Sequence, residues 1–516
     1  MPINKVSKSM KLQSLPFHPF LVVSFQVLTL YAINVNTTNI SAVMRVLLIA
    51  FIITALLFFF FSYITRDIKR SAIVVTSYCF LFFAYGRIFD IAPGLSIAGL
   101  VIGRNKYLLP LYALIVIAGS LWIFRSQWSR HFLERITYFL NMFSLGLVIV
   151  VTLVAITNFD WITFYSNKHT ESSNFSINKE VHQISQSKNN VLQPNVYFII
   201  LDSYASHRTL KKYYDWEDSA VVKAFRSHGF SVNKNAYSNY PLTSLSIGAT
   251  LNMRYIHEDR GFADAISKAG YLSQIIEQNE VMERFKSEGY DVVSNTGAHR
   301  FSKHIHSVHE GKTSLLLNEF VNLVIQVSIL RPIASELAAD AMRQDILSSL
   351  EDLKLFDIPS KPTFVFSHIP CPHPPFIFNA DGSKPTLSES VWGRFENKEG
   401  YINQVRFIGT QIIEIVDSLR RRDPSAVIIV QADHGRGDIL GAYLLDRNRP
   451  PREFLDAQYG ILNAIFSPPG IMMPEKISPV NLFRYVFTAL FDAKLEILTD
   501  RAFFTAIKGS FRVPCG

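Results

Sequence analysis

Asp202 closes the apolar run 196–201, Asp433-His434-Gly435 follows the run 426–430, and Thr243 opens the segment 243–253 two residues after Pro241. Carboxylates and imidazoles are ligands for a divalent cation, and a hydroxyl beside such a cation is a nucleophile in waiting. In open α/β sheets ligands collect at the carboxyl ends of strands, so two acidic strand ends, a histidine and a hydroxyl at a helix start can converge on one metal and one nucleophile. A cation stabilises the alkoxide and screens the attacked centre, while a helix N-terminus turns N–H groups toward an anion. That is the chemistry of a phosphate or sulfate ester. Each residue alone also has an ordinary reading: Asp202 and Thr243 as helix caps, Asp433-His434-Gly435 as a turn.

Two further histidines lie in 367–376, Ser-His368-Ile-Pro-Cys-Pro-His373-Pro-Pro-Phe, beyond the run 362–367. Prolines stiffen this loop and remove backbone donors, so His368 and His373 can be held toward the same sheet edge to bind ester oxygens or protonate a leaving group. His299 follows the run 291–294 and is the best placed of another histidine-rich stretch; His304, His306 and His309 read as exposed loop residues.

The elements that must position these groups alternate strand-like and helical patterns from residue 195 onward. This predicts an α/β domain over 195–516, with a mostly parallel sheet and helices on both faces. The polar stretch 161–194, rich in Ser, Asn, Gln and Lys, reads as a linker.

Residues 1–160 read as a transmembrane domain of five helices, at about 18–36, 44–64, 71–91, 107–124 and 137–159, against the roughly 20 residues a bilayer core needs. His18 and Gln26 interrupt the first. Lys5, Lys8 and Lys11 precede it, Arg66, Lys69 and Arg70 separate the second from the third, and Arg125, Arg130 and Arg135 separate the fourth from the fifth. By the positive-inside rule these flanks are cytoplasmic, and an odd number of spans delivers the rest of the chain outside. A multi-pass protein of the inner (cytoplasmic) membrane, with a periplasmic or extracytoplasmic catalytic domain, follows.

Those nine basic residues account for much of the net charge of +9, and the absence of a zinc-finger spacing or a basic aromatic stripe excludes nucleic acid as a partner. Three cysteines are too few for a disulfide framework. Cys79 falls in a predicted span, leaving Cys371 and Cys515 as a pair whose bonding the sequence leaves open.

Asn195 to Ser203, the Thr243-Ser pair, His368 and His373, and Val430-Gln-Ala-Asp433-His434-Gly together resemble the sulfatase and alkaline-phosphatase superfamily. The five preceding spans narrow the likeness to membrane-anchored lipoteichoic acid synthases and phosphoethanolamine transferases. The resemblance implies an alkaline-phosphatase-like (sulfatase) domain in which Asp202, Thr243, Asp433 and His434 bind one divalent metal, Zn or Mn. It implies that Thr243 is the nucleophile and carries the phospho group, and that His373, His368 and His299 contact substrate. The first ligand is Asp where these transferases often have Glu, and the threonine lacks the usual glycine-led context, which keeps Ser244 and Ser246 open as substitutes. The Cys/Ser-x-Pro-x-Arg motif of true sulfatases is absent from 240–254.

The expectation is therefore a metal-dependent phospho-group transferase integral to the membrane, with a membrane phospholipid as donor and an envelope glycan or lipid as acceptor. A sulfatase or phosphodiesterase-type hydrolase of envelope esters is the second reading. A non-catalytic polymer-binding membrane protein is the third.

Overall fold

The structure is a computed structural model that describes residues 15–35, 38, 40–91, 96–97, 100–101, 105–159, 193–217, 219–259, 271–295, 319–385, 397–436, 451–506 and 509–513. The chain divides into two compact units, the first made of 1–175 with 313–338, the second of 176–312 with 339–516. His299 and its neighbouring histidines, most of the linker, and Cys515 lie outside the described residues.

The first unit holds α1 (His18–Ile33), α2 (Ile40–Thr65), α3 (Ile68–Ile91), a two-residue hairpin β1 (Ser96–Ile97) and β2 (Leu100–Val101), α4 (Asn105–Arg125) and α5 (Arg130–Asn158). Four of these helices, α2 to α5, are long and apolar enough to cross a membrane. The expected first span is shorter than its sequence reading: α1 has 16 residues and stops at Ile33, where the side chain of Asn34 turns back to donate to Leu30 O at 2.8 Å. Its polar residues are buried in the bundle. His18 Nδ1 lies 2.5 Å from Thr76 Oγ1, and Asn141 Oδ1 accepts from the N–H groups of Phe17 and His18 while its amide donates to Leu15 O. Hydrogen bonds of this kind join helices where apolar contact with lipid is no weaker than contact between helices.

The second unit is built on β3 (Val196–Leu201), with α6 (His207–Tyr214), α7 (Ser219–Ser227), β4 (Ser231–Val232), α8 (Thr243–Asn252), α9 (Tyr271–Glu277), α10 (Glu280–Ser287) and β5 (Asp291–Asn295) following. Then α11 (Glu319–Gln326) and the start of α12 (Arg331–Leu355) fall in the first unit, and the rest of α12 in the second. The chain continues through β6 (Thr363–Ile369), α13 (Lys398–Arg422), β7 (Val427–Gln431), α14 (Arg452–Tyr459), β8 (Asn463–Phe466), α15 (Pro479–Phe491) and a hairpin β9 (Ala502–Ala506) and β10 (Gly509–Val513).

Six strands form the sheet, in the order β4-β8-β7-β3-β6-β5. β3 is parallel to both β6 and β7, and β5 is parallel to β6. β8 is antiparallel to both β7 and β4, so it alone runs against the other five. The expected mostly parallel sheet is what the chain forms. All six residues of β3 are buried, as a central parallel strand covered on both faces requires.

Successive side chains of β3 feed opposite layers. Tyr197, Ile199 and Leu201 enter a core with α12 and α13, whose Ile346, Leu350, Ile408 and Ile412 are buried there. Val196, Phe198 and Ile200 enter the other, with Leu251 of α8, Phe285 of α10 and Phe483 of α15. Phe285 stacks on Phe364 at 4.5 Å between ring centres, and Phe198 meets Phe483 edge-on at 5.1 Å. Truncating one such ring to alanine costs about 3–5 kcal/mol. The sheet edge is thus a rigid base for whatever its strand ends carry.

Candidate functional site

Strand register brings the acidic residues together. Ile200 pairs with His368 on one side and Gln431 on the other, so Asp202, just past β3, and Asp433, just past β7, emerge side by side from neighbouring parallel strands. Asp202, Asp433 and His434 are buried, and each offers one ligand atom within 4.8 Å of the others. His434 Nε2 lies 3.5 Å from Asp433 Oδ2 and 3.9 Å from Asp202 Oδ1.

His434 Nδ1 is 2.7 Å from Gly435 O, a carbonyl that can only accept, so the ring carries its proton there and turns the Nε2 lone pair to the carboxylates. Asp433 Oδ2 is buried without a hydrogen-bond donor, while Oδ1 accepts from the N–H groups of Ser203 and His434 at 3.0 and 2.8 Å. A buried carboxylate oxygen left without a donor is costly unless a cation faces it. The donor set of two carboxylates and one imidazole lone pair fits a divalent ion such as zinc or manganese.

Thr243 completes the cluster. Its Oγ1 is 3.1 Å from His434 Nε2. Leu242, not Thr243, occupies the cap position of α8 and makes no side-chain cap bond, so the threonine hydroxyl is not spent on capping. The first helical bond of α8 runs from Ser246 N–H to Leu242 O, which leaves the N–H groups of Thr243, Ser244 and Leu245 as an unpaired first turn suited to an anion. Ser246 is committed elsewhere: its buried hydroxyl donates to Asp433 O at 2.6 Å.

His368 departs from its expected place. It lies inside β6 rather than in the loop beyond, because pairing with β3 carries the strand on to Ile369. It is 2% exposed, with Nε2 3.4 Å from Asp202 Oδ2. His373 is in the loop and half-buried, with Nδ1 donating to Pro374 O at 2.6 Å. Burial works against the charge of Asp202, but His373, His368 and His434 outweigh it and hold the carboxyl well below its usual range. Burial, reinforced by the charge of Asp202, raises the Cys371 thiol well above its ordinary value.

Several residues that frame the site carry little or no mark in the sequence. Ser203 sits at φ +65°, an uncommon left-handed conformation for a residue other than glycine. From it the N–H reaches Asp433, the hydroxyl donates to Asp202 Oδ1 at 3.0 Å, and the carbonyl accepts from the Tyr401 hydroxyl at 2.7 Å. Gln458 donates to Pro241 O at 2.8 Å, tying the approach to Thr243 to α14. Gln404 donates to the carbonyls of Pro372 and His373 and accepts from Ile377 N–H, which fixes the histidine loop. Arg436, two residues past His434, is buried with its guanidinium 5.3 Å from the Phe376 ring and 5.6 Å from the Tyr401 ring. The adjacent Asp-Ser and His-Gly-Arg are the only local signals for Ser203 and Arg436.

The chain is similar in structure to the C-terminal periplasmic domain of EcEptC from Escherichia coli in complex with Zn, at 12% identity and a TM-score of 0.37, covering 58% of this chain and 82% of that one. It is similar to the integral membrane lipooligosaccharide phosphoethanolamine transferase A (EptA) from Neisseria meningitidis, at 12% identity and a TM-score of 0.38, covering 92% of this chain and 95% of that one. A third is the C-terminal periplasmic domain of phosphoethanolamine transferase EptC from Campylobacter jejuni, at 11% identity and a TM-score of 0.36, with 60% and 96% covered. No protein-family model matches the sequence, and no curated protein matches it.

Proposed function

We propose that this chain is a membrane-anchored, metal-dependent phospho-group transferase of the sulfatase and alkaline-phosphatase superfamily, working through a threonine-linked intermediate. One observation carries the reading: the Thr243 hydroxyl, at the first turn of a helix, lies 3.1 Å from the Nε2 of a histidine that shares its cluster with two buried carboxylates. Asp202, Asp433, His434 and Thr243 would hold a divalent cation, which supplies charge to stabilise the alkoxide and the attacked ester.

Thr243, having lost its hydroxyl proton to solvent, attacks as the alkoxide: its Oγ1 forms the new bond to phosphorus and the bond from phosphorus to the diacylglycerol oxygen of a membrane phospholipid breaks. Protonated His373 is the side chain to protonate that oxygen, since its Nδ1 is anchored to Pro374 O and its loop is pinned by Gln404. His368, buried against Asp202, orients that carboxylate. The open first turn of α8 receives the anionic oxygens. A hydroxyl of an envelope glycan or lipid then attacks the phosphothreonine and gives its proton back to His373, while the bond from phosphorus to Thr243 Oγ1 breaks and regenerates the alkoxide. The membrane-length helices tether the site to the surface that holds its donor, which favours transfer between membrane-associated groups over release to water. The positive-inside pattern puts this chemistry outside the inner membrane.

The test is mass spectrometry of the full-length protein after exposure to a phospholipid with a labelled head group. The peptide bearing Thr243 should gain the mass of the phospho-alcohol group. Thr243→Ala should lose the adduct and turnover while still binding metal through three ligands, and Thr243→Ser should retain part of both. Turnover that persists in Thr243→Ala without any adduct would move the reading to a hydrolase using water. Absence of bound metal in the wild type together with absence of turnover would favour a polymer-binding protein.

A further inference from the structure

Residues 319–338 lie far along the chain from the membrane helices yet pack as part of the same unit. Phe320 of α11 is buried among Val27 and Leu30 of α1, Ala42 and Val43 of α2 and Phe83 of α3. Beyond α11 the backbone joins α3 directly. Gly86 N–H donates to Val327 O at 3.1 Å, and Ile329 N–H donates to Phe82 O at 2.9 Å. Phe82 O and Gly86 N–H are the acceptor and donor that an isolated helix pairs with each other. The approach requires glycine, because a Cβ at position 86 would stand 2.2 Å from Gln326 O. Ser328 closes the turn by accepting from Leu330 N–H, so the irregular backbone is bonded where it meets the bundle.

Gly86 is five residues short of the last residue of α3, which is about 7.5 Å along the helix axis at 1.5 Å per residue. The attachment at Gly86 is thus in the last two turns of a helix long and apolar enough to cross a membrane, toward the end where an interfacial element would lie. From there α12 begins with Arg331, which donates to Gly86 O and to Asp90 Oδ1 at 2.6 Å and covers the Phe89 ring at 4.8 Å. Leu330, Ile333 and Leu337 are left 46%, 64% and 51% exposed. Leu330 immediately precedes α12, and Ile333 and Leu337 are four residues apart on one face of it; α3, to which the segment is bonded, is long and apolar enough to cross a membrane and leaves Ile88 and Ile91 exposed toward this end.

We propose that the chain returns to the bilayer after leaving it, and that residues 319–338 form a second membrane-contact element whose Leu330, Ile333 and Leu337 face the lipid. Its backbone bonds to a membrane-length helix commit this surface to the acyl boundary of a phospholipid leaflet. This inference is independent of the reading of the metal cluster. Its test uses the full-length protein in phosphatidylcholine and phosphatidylglycerol vesicles, with Cys515→Ser and a single introduced cysteine carrying an environment-sensitive fluorophore. Cys79 and Cys371 are buried and spared by the label. The probe at Ile333→Cys should be quenched several-fold more by lipid-attached nitroxide than by aqueous iodide, and the probe at Met472→Cys, where the native residue is 89% exposed, should show the reverse. In a Gly86→Val background the probe at 333 should shift toward iodide. Equal behaviour at 333 and 472 overturns the proposal. Shielding of position 333 from both quenchers overturns it in favour of a protein partner on this face. Metal content, measured alongside, reports on the other unit and should not change with either label.

Discussion

Gly435→Ala isolates the part of the site that backbone packing controls. A Cβ at 435 would stand 2.2 Å from Ala457 O and 2.5 Å from Gly460 O, both backbone atoms with no side-chain freedom to yield. The turn after β7 must therefore lift off α14, losing the bonds from Gly435 N–H to Gln458 O at 2.7 Å and from Arg436 N–H to Ala457 O at 2.8 Å. Two buried bonds at about 1 kcal/mol each, with the strain of the displaced turn, come to about 2–4 kcal/mol. At about 2 °C per kcal/mol for a large domain, the melting temperature falls by about 4–8 °C. The metal effect is the sharper readout, because His434 precedes the displaced residue and its Nδ1 anchor is Gly435 O. Thermal denaturation in detergent and metal content by mass spectrometry check both. Wild-type melting and stoichiometric metal in Gly435→Ala would refute the claim that this close approach holds the histidine in place.

Asp433→Asn should lower metal retention by at least about tenfold, since the amide removes one charged ligand, and elemental analysis of purified protein decides it. Ser246→Ala should keep the Thr243 adduct but lower stability by about 1–3 kcal/mol, the cost of stranding the buried Asp433 carbonyl, measured by thermal melting. Gln404→Ala should lower turnover with little change in metal content, because it frees the His373 loop and leaves the ligands untouched; steady-state kinetics beside elemental analysis separates the two. Cys371 should resist maleimide at pH 8 in the folded protein and react on unfolding, since burial and Asp202 both oppose its thiolate.

The sheet and its acidic ends were legible because uninterrupted apolar runs such as 196–201 announce buried parallel strands, and, although either carboxylate alone also reads as a cap or a turn, two such runs ending in Asp point to one sheet edge. His368 was harder to place. The proline at 370 made its neighbourhood look like loop, whereas pairing with β3 decides where β6 ends, and that pairing is a long-range property. Tyr401, Gln404 and Gln458 act through contacts with residues distant in sequence, so nothing in their own surroundings marks them. The segment 319–355 was opaque for a different reason. Along α12 the apolar residues change surroundings, from exposed Ile333 and Leu337 to buried Ile346, Leu350 and Leu353, and no single period describes them. The expected first span overran α1 by three residues: the helix stops at Ile33, Asn34 bonds back to Leu30 O, and the chain turns polar through Asn36, Thr37, Thr38 and Asn39.

The bonding between α3 and Val327 also sets an order of events during synthesis. When α3 is made, its late partner is still 241 residues from the ribosome's active centre, or about 10–50 s away at 5–20 residues per second. In that interval Phe82 O and Gly86 N–H lack the partners that Ile329 and Val327 later supply, and α3 enters the bilayer without them. Val327 and Ile329 must then engage a helix already in place. The membrane bundle is therefore a template completed by a latecomer, and a chain truncated before residue 319 should insert its helices normally while leaving α3 without the bonds to Val327 and Ile329 and the bundle without Phe320.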